Sequence, residues 1–196
     1  MRTRRRLPPE ERRRQLIDAA IELYSRRPFE QVSVEDIAEA ADVSRALFYR
    51  YFSGPADVFG VASRVAIDGL IARLTTPRVG TPEEQLRTGV AEYIDFVEQH
   101  PTAFVAVVRN SSAISAETGG LVEEVRLVII DVIKAGAGLT GPMPLVDLTI
   151  WCWTAAMEEA TLWWLRDPLL SKDAFVSWMT GQLVAMLMAT GKHSAG

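Results

Sequence analysis

Residues 42–52, DVSRALFYRYF, combine four aromatic side chains with the two arginines Arg45 and Arg50. Aromatic residues at this density usually belong to a core, whereas a guanidinium group needs water or an anion as its partner. A short helix with one buried and one exposed face satisfies both requirements. We therefore expect Phe48 and Phe52 to face inward, and the arginines to face a polyanion.

Two short helices joined by a tight turn are predicted to position these side chains. The first, over residues 33–41, begins with a weak capping box at Ser33. Asp42 tolerates positive φ and turns the chain, and Ser44 caps a second helix over 45–51. This arrangement is the helix-turn-helix pattern, whose second helix lies in the DNA major groove and presents its N-terminal side chains to base edges.

The side chains of the second helix suit contacts with duplex DNA. Arg45 can donate bidentate hydrogen bonds to guanine O6 and N7, although a phosphate contact would use the same charge. Tyr49 and Tyr51 offer hydroxyl groups to phosphate oxygens, and helix N-termini favour anions. The predicted DNA-binding surface consists of Ser33, Ser44, Arg45, Ala46, Leu47, Tyr49, Arg50 and Tyr51.

The run FEQVSVEDIAEAADVSRALFYRYF, followed by a long helix, resembles the N-terminal domain of TetR-family transcriptional regulators over about residues 12–60. The matching positions are Ser33, Ile37-Ala38, Val43-Ser44, Phe48-Tyr49 and Tyr51-Phe52. The family usually has Gly where Asp42 stands, and Lys, reaching a DNA phosphate, where Pro55 stands. Proline keeps the helix start but supplies neither an ammonium nor an N–H group. That phosphate contact is therefore missing unless Arg50 or the arginine-rich N-terminal tail replaces it.

Apolar residues recur with a helical period along the chain, without a convincing strand pattern, which predicts an all-α fold. We expect about nine helices, at roughly 9–26, 33–41, 45–51, 55–74, 82–99, 101–112, 117–136, 143–166 and 171–190. Three parts follow: a helix-turn-helix DNA-binding domain with a basic N-terminal arm (1–53), a connecting helix (54–74), and a C-terminal helical ligand-binding and dimerisation domain (82–196). Residues 75–81 are the clearest linker.

The eighth helix contains the stretch VDLTIWCWTAAMEEATLWWLRD, with four of the five tryptophans of the chain. Apolar residues almost all round it indicate burial on more than one side. We expect it to pack on its own domain and on a partner subunit, with a monomeric core as the alternative. Cys152 in this helix is expected to be buried. The resemblance implies a homodimer interface built from the last two helices of each subunit.

Dimerisation would place two recognition helices about 34–36 Å apart, which suits a palindromic operator in double-stranded DNA. The resemblance further implies a small-molecule effector pocket among helices 4 to 8, whose filling moves helix 4. Candidate pocket residues are Phe96, Phe104, Val108, Trp151, Ala155, Met157 and Glu158. A buried Glu158 could hold a polar or cationic ligand group, but it would need a partner or a raised pKa. A solvent-facing or interface-rim glutamate is the equal alternative.

The charge is unevenly distributed along the chain. Residues 1–60 contain 11 Lys+Arg and 10 Asp+Glu, whereas residues 61–196 contain 10 and 15. A basic front end on an acidic body indicates a polyanion partner for the front end only. The single cysteine fits a reducing compartment, no secretory signal is evident, and the apolar stretches at 148–165 and 183–189 are interrupted or short. We therefore expect a cytoplasmic protein without a membrane partner.

Catalysis has little support in the sequence. His100 and His193 are the two histidines, and no nucleophile, metal-ligand or phosphate-loop motif is present. We expect no catalytic residue, no metal and no cofactor. The sequence predicts a ligand-responsive, sequence-specific DNA-binding regulator, a repressor released from its operator by a small apolar or amphipathic effector. The alternative is a helical protein- or lipid-interaction module, which would lack salt-sensitive, sequence-selective DNA binding.

Overall fold

The computed structural model describes residues 8–114 and 118–194, and the regular structure in these ranges is helical. The helices are α1 (Pro9–Arg26), α2 (Val34–Ala40), α3 (Arg45–Phe48), α4 (Pro55–Leu74), α5 (Pro82–Gln99), α6 (Pro101–Ile114), α7 (Leu121–Gly136), α8 (Pro144–Arg166) and α9 (Lys172–Ser194), with a 3-10 turn at Phe29–Gln31. The predicted all-α fold is confirmed. Most of the predicted basic N-terminal arm, residues 1–7, lies outside the described residues.

The third helix is shorter than predicted, because its α-helical part ends at Phe48 and not at residue 51. The N–H groups of Arg50 and Tyr51 donate to carbonyls three residues earlier, at 3.2 and 2.9 Å, which is a tighter 3-10 geometry. Phe52, which follows these turns, lies in the core and is 2% exposed. The seventh helix also begins later than predicted, since residues 118–120 form a turn that contains a glycine pair.

Contacts divide the chain into two compact units. The first unit contains α1 to α3, the first part of α4, and α6. The second unit contains the rest of α4 together with α5, α8, α9 and nearly all of α7. Within the first unit, the Thr102 hydroxyl of α6 donates to the carbonyl of Tyr24 in α1. The domain limits inferred from the sequence, 1–53, 54–74 and 82–196, stay a prediction.

The core of the first unit is built around aromatic rings. Tyr24 meets Phe59 edge to face at 4.8 Å between ring centroids, and Phe29 lies 5.0 Å from the same ring. The Tyr24 hydroxyl donates to the carbonyl of Pro55 at 3.2 Å, which ties α1 to the start of α4. Burial of this hydroxyl raises the pKa of Tyr24.

In the second unit, α9 packs against both α5 and α8. The indole N–H of Trp153 donates to the carbonyl of Met179 in α9 at 3.0 Å, and Trp164 stacks on Phe175 with centroids 5.2 Å apart. Cys152 is exposed, so the expectation of a buried cysteine is wrong. It lies one residue before Trp153, and a step of one residue turns a helical side chain by about 100° onto another face.

Among the described residues, one helical stretch, Lys172–Gly191 in α9, has the length and hydropathy to cross a membrane, with a mean hydropathy of 1.2 and 28% of the window buried. The sequence-based expectation considered only the short run at 183–189 and missed the full length of α9. Length and composition are weak evidence for a span, because core helices of soluble proteins pass the same test.

Candidate functional sites

The first helix of the predicted helix-turn-helix is fixed by a complete capping box. The Ser33 hydroxyl accepts the Asp36 N–H at 3.1 Å, and the Asp36 carboxylate accepts the Ser33 N–H at 2.8 Å. Arg27 donates to the same carboxylate at 3.0 Å. Hydrogen bonds from Arg27, and next from Ser33, hold the pKa of Asp36 below its usual range. The capping box predicted at Ser33 is confirmed.

The turn between α2 and α3 has the predicted backbone. Asp42 has a φ of 50°, in the left-handed region that aspartate tolerates. The N–H of Val43 donates to the Ala38 carbonyl at 2.9 Å, and the Ser44 hydroxyl caps α3 by accepting the Leu47 N–H at 3.2 Å. The hydroxyls of both N-cap serines are therefore engaged within the protein. A direct anion contact by these serines stays a prediction.

The segment around α3 has one buried and one exposed face. Phe48 is fully buried and Phe52 nearly so, which confirms that both aromatics face the core. The outward side chains, exposed or half-buried, are Arg45, Ala46, Leu47, Tyr49, Arg50 and Tyr51. The structure thus brings the predicted surface residues together on the outside of the segment. Their contacts with DNA stay a prediction.

Arg45 has two neighbours on this exposed face. Its Nη1 lies 2.6 Å from Oε1 of Glu35 in α2, and its guanidinium carbon lies 5.9 Å from the centroid of the Tyr49 ring. Hydrogen bonding to Tyr49, followed by the charge of Glu35, raises the pKa of Arg45. The sequence analysis did not identify Glu35, although α2 and α3 meet at this corner. Glu35 therefore places a negative charge beside Arg45 on the predicted DNA surface.

The start of α4 has Pro55 where the resemblance implies a lysine. Pro55 is its first residue, as expected, and the N–H and hydroxyl of Ser53 donate to the Asp57 carboxylate at 2.7 and 3.1 Å. Arg50, three residues before Ser53, is exposed. Replacement of the missing phosphate contact by Arg50 stays a prediction.

The second unit contains a cavity of about 460 Å³. It is bounded by the end of α4, the α4–α5 loop, and α5, α7, α8 and α9. Its deep wall includes the buried residues Val90, Tyr93, Trp153 and Met157. The volume lies within the range of about 300–1,000 Å³ that small-molecule sites occupy.

The structure does not bring the predicted pocket residues together around one cavity. Met157 lines this cavity, and the other six do not. Phe104 and Val108 belong to α6 in the first unit, and Phe96 is buried in α5. Trp151, Ala155 and Glu158 are partly buried on α8, beside the wall and not on it. A role of these six residues in ligand binding stays a prediction.

Glu158 has the partner that a buried carboxylate requires. Arg126 of α7 donates to it through Nε and Nη2, at 2.9 and 2.5 Å, and the side chains of Arg126 and Glu158 are 21% and 12% exposed. The Arg126 guanidinium also lies 5.2 Å from the ring centroid of Trp151. This bonding to Glu158 raises the pKa of Arg126. The carboxylate is therefore neutralised, which removes the reason to expect a cationic ligand group there.

Sequence reasoning missed the polar edge of the cavity. The segment predicted to be a linker contributes Arg78 and Thr81, and Glu83 and Gln85 follow in the first turn of α5. A loop has no periodicity that would show which side chains face inward. The α5 wall had a signal in Leu86, Val90 and Tyr93, which recur at helical spacing. Within the described part of the chain, no three His, Cys, Asp or Glu side chains are grouped as a metal site requires, and the absence of metal, cofactor and catalysis stays a prediction.

Comparison with known proteins covers both parts of the chain. Residues 16–60 match the family "Bacterial regulatory proteins, tetR family", and residues 82–186 match "Tetracyclin repressor-like, C-terminal domain". A tetR-family transcriptional regulator from Streptomyces coelicolor has a similar crystal structure, with a TM-score of 0.90 and 31% identity over 95% of this chain and 85% of that one.

Two further proteins are more distant. The HTH-type transcriptional activator FasR of Mycolicibacterium smegmatis is 24% identical over 177 residues, which cover 87% of this chain and 80% of FasR. The regulator FadR of Bacillus subtilis, solved in complex with stearoyl-CoA, shares the fold, with a TM-score of 0.71 and 17% identity over 88% of this chain and 98% of that one.

Proposed function

Because the chain belongs to the TetR family of bacterial transcriptional regulators, we propose that it binds a palindromic operator as a homodimer and that a small effector in its cavity changes this binding. The observation that carries the DNA-binding part is the two-faced segment around α3. Phe48 and Phe52 anchor it in the core, and Arg45, Tyr49 and Arg50 stand exposed. Such a segment can enter a major groove without loss of its own packing.

The homodimer is proposed from the outer faces of α8 and α9. On α8, the exposed positions follow one another at helical spacing and are mostly apolar: Leu145, Leu148, Cys152, Ala156, Glu159 and Trp163. On α9 the corresponding series is Ala174, Trp178, Gly181, Ala185 and Met188. Two apolar stripes on neighbouring helices form a patch of the kind that oligomeric proteins bury. Small residues on the α9 stripe allow a second copy to approach closely.

The same patch accounts for the hydropathy of α9. The apolar stretch of α9 is long and hydropathic enough to cross a membrane, yet only 28% of it is buried. A further apolar neighbour would cover the rest. In the proposed dimer that neighbour is α8 and α9 of the partner. We therefore propose that the protein is cytoplasmic, with α9 in a protein interface and not in a bilayer.

The effector is proposed from the cavity. Its walls are mostly apolar, and the last turn of α4 contributes Leu74. Helix α4 belongs to both units, so a ligand that contacts its end in only one of two states can shift the DNA-binding equilibrium. The FadR protein of Bacillus subtilis forms a complex with stearoyl-CoA, which is an amphipathic ligand. A small apolar or amphipathic effector likewise fits the cavity of this protein.

Selection from randomised duplex DNA at moderate salt tests this function. The expected result is enrichment of a palindrome with half-sites about one helical turn apart, or slightly more, bound by a dimer. Unselective binding that disappears with added salt would instead support the helical interaction module.

The sign of regulation is measured on the enriched site. The expected result is release of the operator in the presence of effector, as for a repressor. FasR carries the name of an activator, so transcription from the enriched site, with and without the protein, completes the assignment.

A further inference from the structure

The cavity of the second unit is polar at one end only. Fifteen of its nineteen lining residues are apolar or glycine, counting Tyr93, and the four polar ones are Arg78, Thr81, Glu83 and Gln85. These four lie within eight consecutive residues, in the α4–α5 loop and the first turn of α5. Thr81 and Glu83 are exposed, whereas Trp153 and Met157 on the opposite wall are buried. The loop end is therefore the outer end of the cavity.

Two of the polar side chains at this end already have partners. The Thr81 hydroxyl bonds to the Glu84 carboxylate at 3.0 Å in the capping box of α5. The Gln85 amide donates to the carbonyl of Gly80 at 2.9 Å. Both groups hold the loop in shape, and neither calls for a ligand.

Arg78 is different, because one of its donors has no acceptor. Its Nη1 donates to the carbonyl of Leu74 at 2.8 Å, and its Nη2 donates to the carbonyl of Arg73 at 3.0 Å and to Glu92. Its side chain is 11% exposed, and its buried Nε–H has no hydrogen-bond partner. A buried donor without an acceptor is destabilising. The Nε atom is covered by protein atoms, so a ligand in the cavity supplies the missing acceptor when the guanidinium turns toward it.

We propose that the effector is a single-chain amphipathic acid whose carboxylate binds Arg78 through Nε–H, with its apolar chain along the wall formed by Trp153 and Met157. This inference rests on the proposed use of the cavity as the effector site. Arginine is the side chain best suited to a carboxylate, because its donors are planar and permanently charged. The carboxylate of the ligand and that of Glu92 would then both bind the Arg78 guanidinium.

Charge at the outer end limits the head group to one negative charge. Glu83 lines the cavity there, and Glu92 already neutralises part of the Arg78 charge. Glu83 and Glu92 would repel every added negative charge, so a single carboxylate, whose bond to Arg78 offsets that repulsion, is expected in place of a head group with several phosphates. A cationic head group would face the Arg78 guanidinium, and Glu158 is occupied by Arg126.

The same bonds connect the acid to α4. Arg78 caps the last carbonyls of α4 and binds Glu92 of α5. A carboxylate at Nε–H draws the guanidinium toward the cavity and weakens its bonds to Arg73 or Glu92. The head group therefore acts directly on the end of the helix that both units share.

Three probes with one alkyl chain test the inference by calorimetric titration: decanoate, decanol and decyltrimethylammonium. We expect wild-type protein to bind decanoate most tightly. In Arg78→Gln, decanoate affinity falls by about 10- to 100-fold, as expected for a lost charge-assisted hydrogen bond, and decanol affinity stays the same. Arg87→Gln is the matched control, because Arg87 is an arginine of α5 that does not line the cavity and bonds to Asp173 and Ser177 of α9.

The outcomes separate this inference from the proposed function. Equal affinity of wild-type protein for the three probes, or an unchanged decanoate preference in Arg78→Gln, overturns the acid at Arg78 and leaves the cavity as an effector site. Failure of all three probes to bind counts against the cavity as a site for such molecules. If Arg78→Gln strongly lowers the thermal midpoint, Arg78→Lys replaces it as the test. Lysine keeps a charge that can cap α4 but lacks the Nε–H group, so decanoate affinity must still fall.

Discussion

Phe48 in the first unit and Met157 in the second are buried to the same extent, at 0% and 1% exposure, yet they have different surroundings. Phe48 packs against Phe52 with ring centroids 5.7 Å apart, and its burial turns the neighbouring polar side chains outward. Met157 lies on the wall of a cavity. Burial shows that a side chain faces inward, but it does not show whether the interior is filled.

This difference has a physical consequence for each unit. In the first unit, the packed rings of Phe48 and Phe52 support an outward DNA surface. The second unit keeps a space in its core, and apolar walls without neighbours lose dispersion contacts. Such a space is retained at a cost in stability, which a bound molecule recovers.

The largest expected effect comes from Leu148→Glu, on the outer stripe of α8. A charge placed in a buried apolar interface is destabilising, so we expect monomers. Operator affinity should fall about 10²- to 10⁴-fold, because two linked half-site contacts become independent. Sedimentation gives the oligomeric state, and fluorescence anisotropy gives the affinity.

The control for Leu148→Glu is Leu127→Glu on α7. The two leucines are 57% and 52% exposed, so the substitution changes the same kind of surface. Leu127→Glu should leave the dimer and its operator affinity intact. If both variants remain dimers, the interface lies elsewhere. A partner subunit would then no longer explain why the exposed face of α9 is apolar.

Arg45→Ala tests the outward face of the first unit. Loss of a bidentate guanine contact costs about 1–3 kcal/mol per half-site and relaxes the preference at one base pair, with the dimer intact. Tyr49→Phe should weaken binding less. Arg26→Ala, another exposed arginine in the same unit, is the control. Equal loss at every operator position in Arg45→Ala would show a phosphate contact and not base recognition.

The turn of the helix-turn-helix and the inward faces of Phe48 and Phe52 could be predicted because their signals are local. Ser33 and Ser44 are N-cap residues that mark helix starts, and Asp42 permits the turn. The helical spacing of Phe48 and Phe52, with Arg45 and Tyr49 between or before them, separates the buried face from the exposed one. The length of α3 was missed, because the tight turns after Phe48 depend on where Phe52 meets the core. The ion pair of Arg45 with Glu35 was missed because it depends on the angle between two helices.

The cavity was far less predictable, for the reason that separates Phe48 from Met157. Periodicity placed Phe96 and Met157 on inward faces of their helices, but only the packing of several helices shows which of them borders a void. Arg78 stands in a loop with proline and glycine, where no period exists. Gly89 gave no signal either, since a missing side chain has no pattern.

Gly89 offers the sharpest test of filled against unfilled space. It lines the cavity within α5, and a Cβ atom there would have no heavy atom within 4 Å. Gly89→Ala should stabilise the protein by about 0.5–1 kcal/mol through helix propensity, which raises the thermal midpoint by a few degrees. Gly89→Leu should fill the cavity and abolish effector binding while operator binding persists.

Gly69→Ala is the matched substitution outside the cavity. Gly69 lies within α4, is exposed, and also has open space at its Cβ position. It should show the same gain in thermal midpoint with unchanged effector affinity. Unchanged effector affinity in Gly89→Leu would mean that effectors bind elsewhere. The cavity would then not be what distinguishes the function of the second unit from that of the first.

The smallest expected effects come from the capping boxes, which both units contain. Hydrogen bonds from Arg27 and then Ser33 lower the pKa of Asp36, and those from Thr81 lower the pKa of Glu84. A carboxyl group whose folded pKa lies below its unfolded value of about 4 stabilises the fold above that pH and loses this contribution as the pH falls. Wild-type protein should therefore lose stability below about pH 5 partly through these two groups.

Asp36→Asn should lower the thermal midpoint at neutral pH and flatten its decline toward acid pH, because the charged acceptor is gone at every pH. Glu84→Gln should do the same to a smaller extent, since its bonds come from Thr81 alone, whereas Asp36 also binds Arg27. Thermal midpoints between about pH 7 and pH 3 measure both slopes. A larger change in Glu84→Gln than in Asp36→Asn would contradict this order and show that the cap of α5 contributes more to stability than the cap of α2.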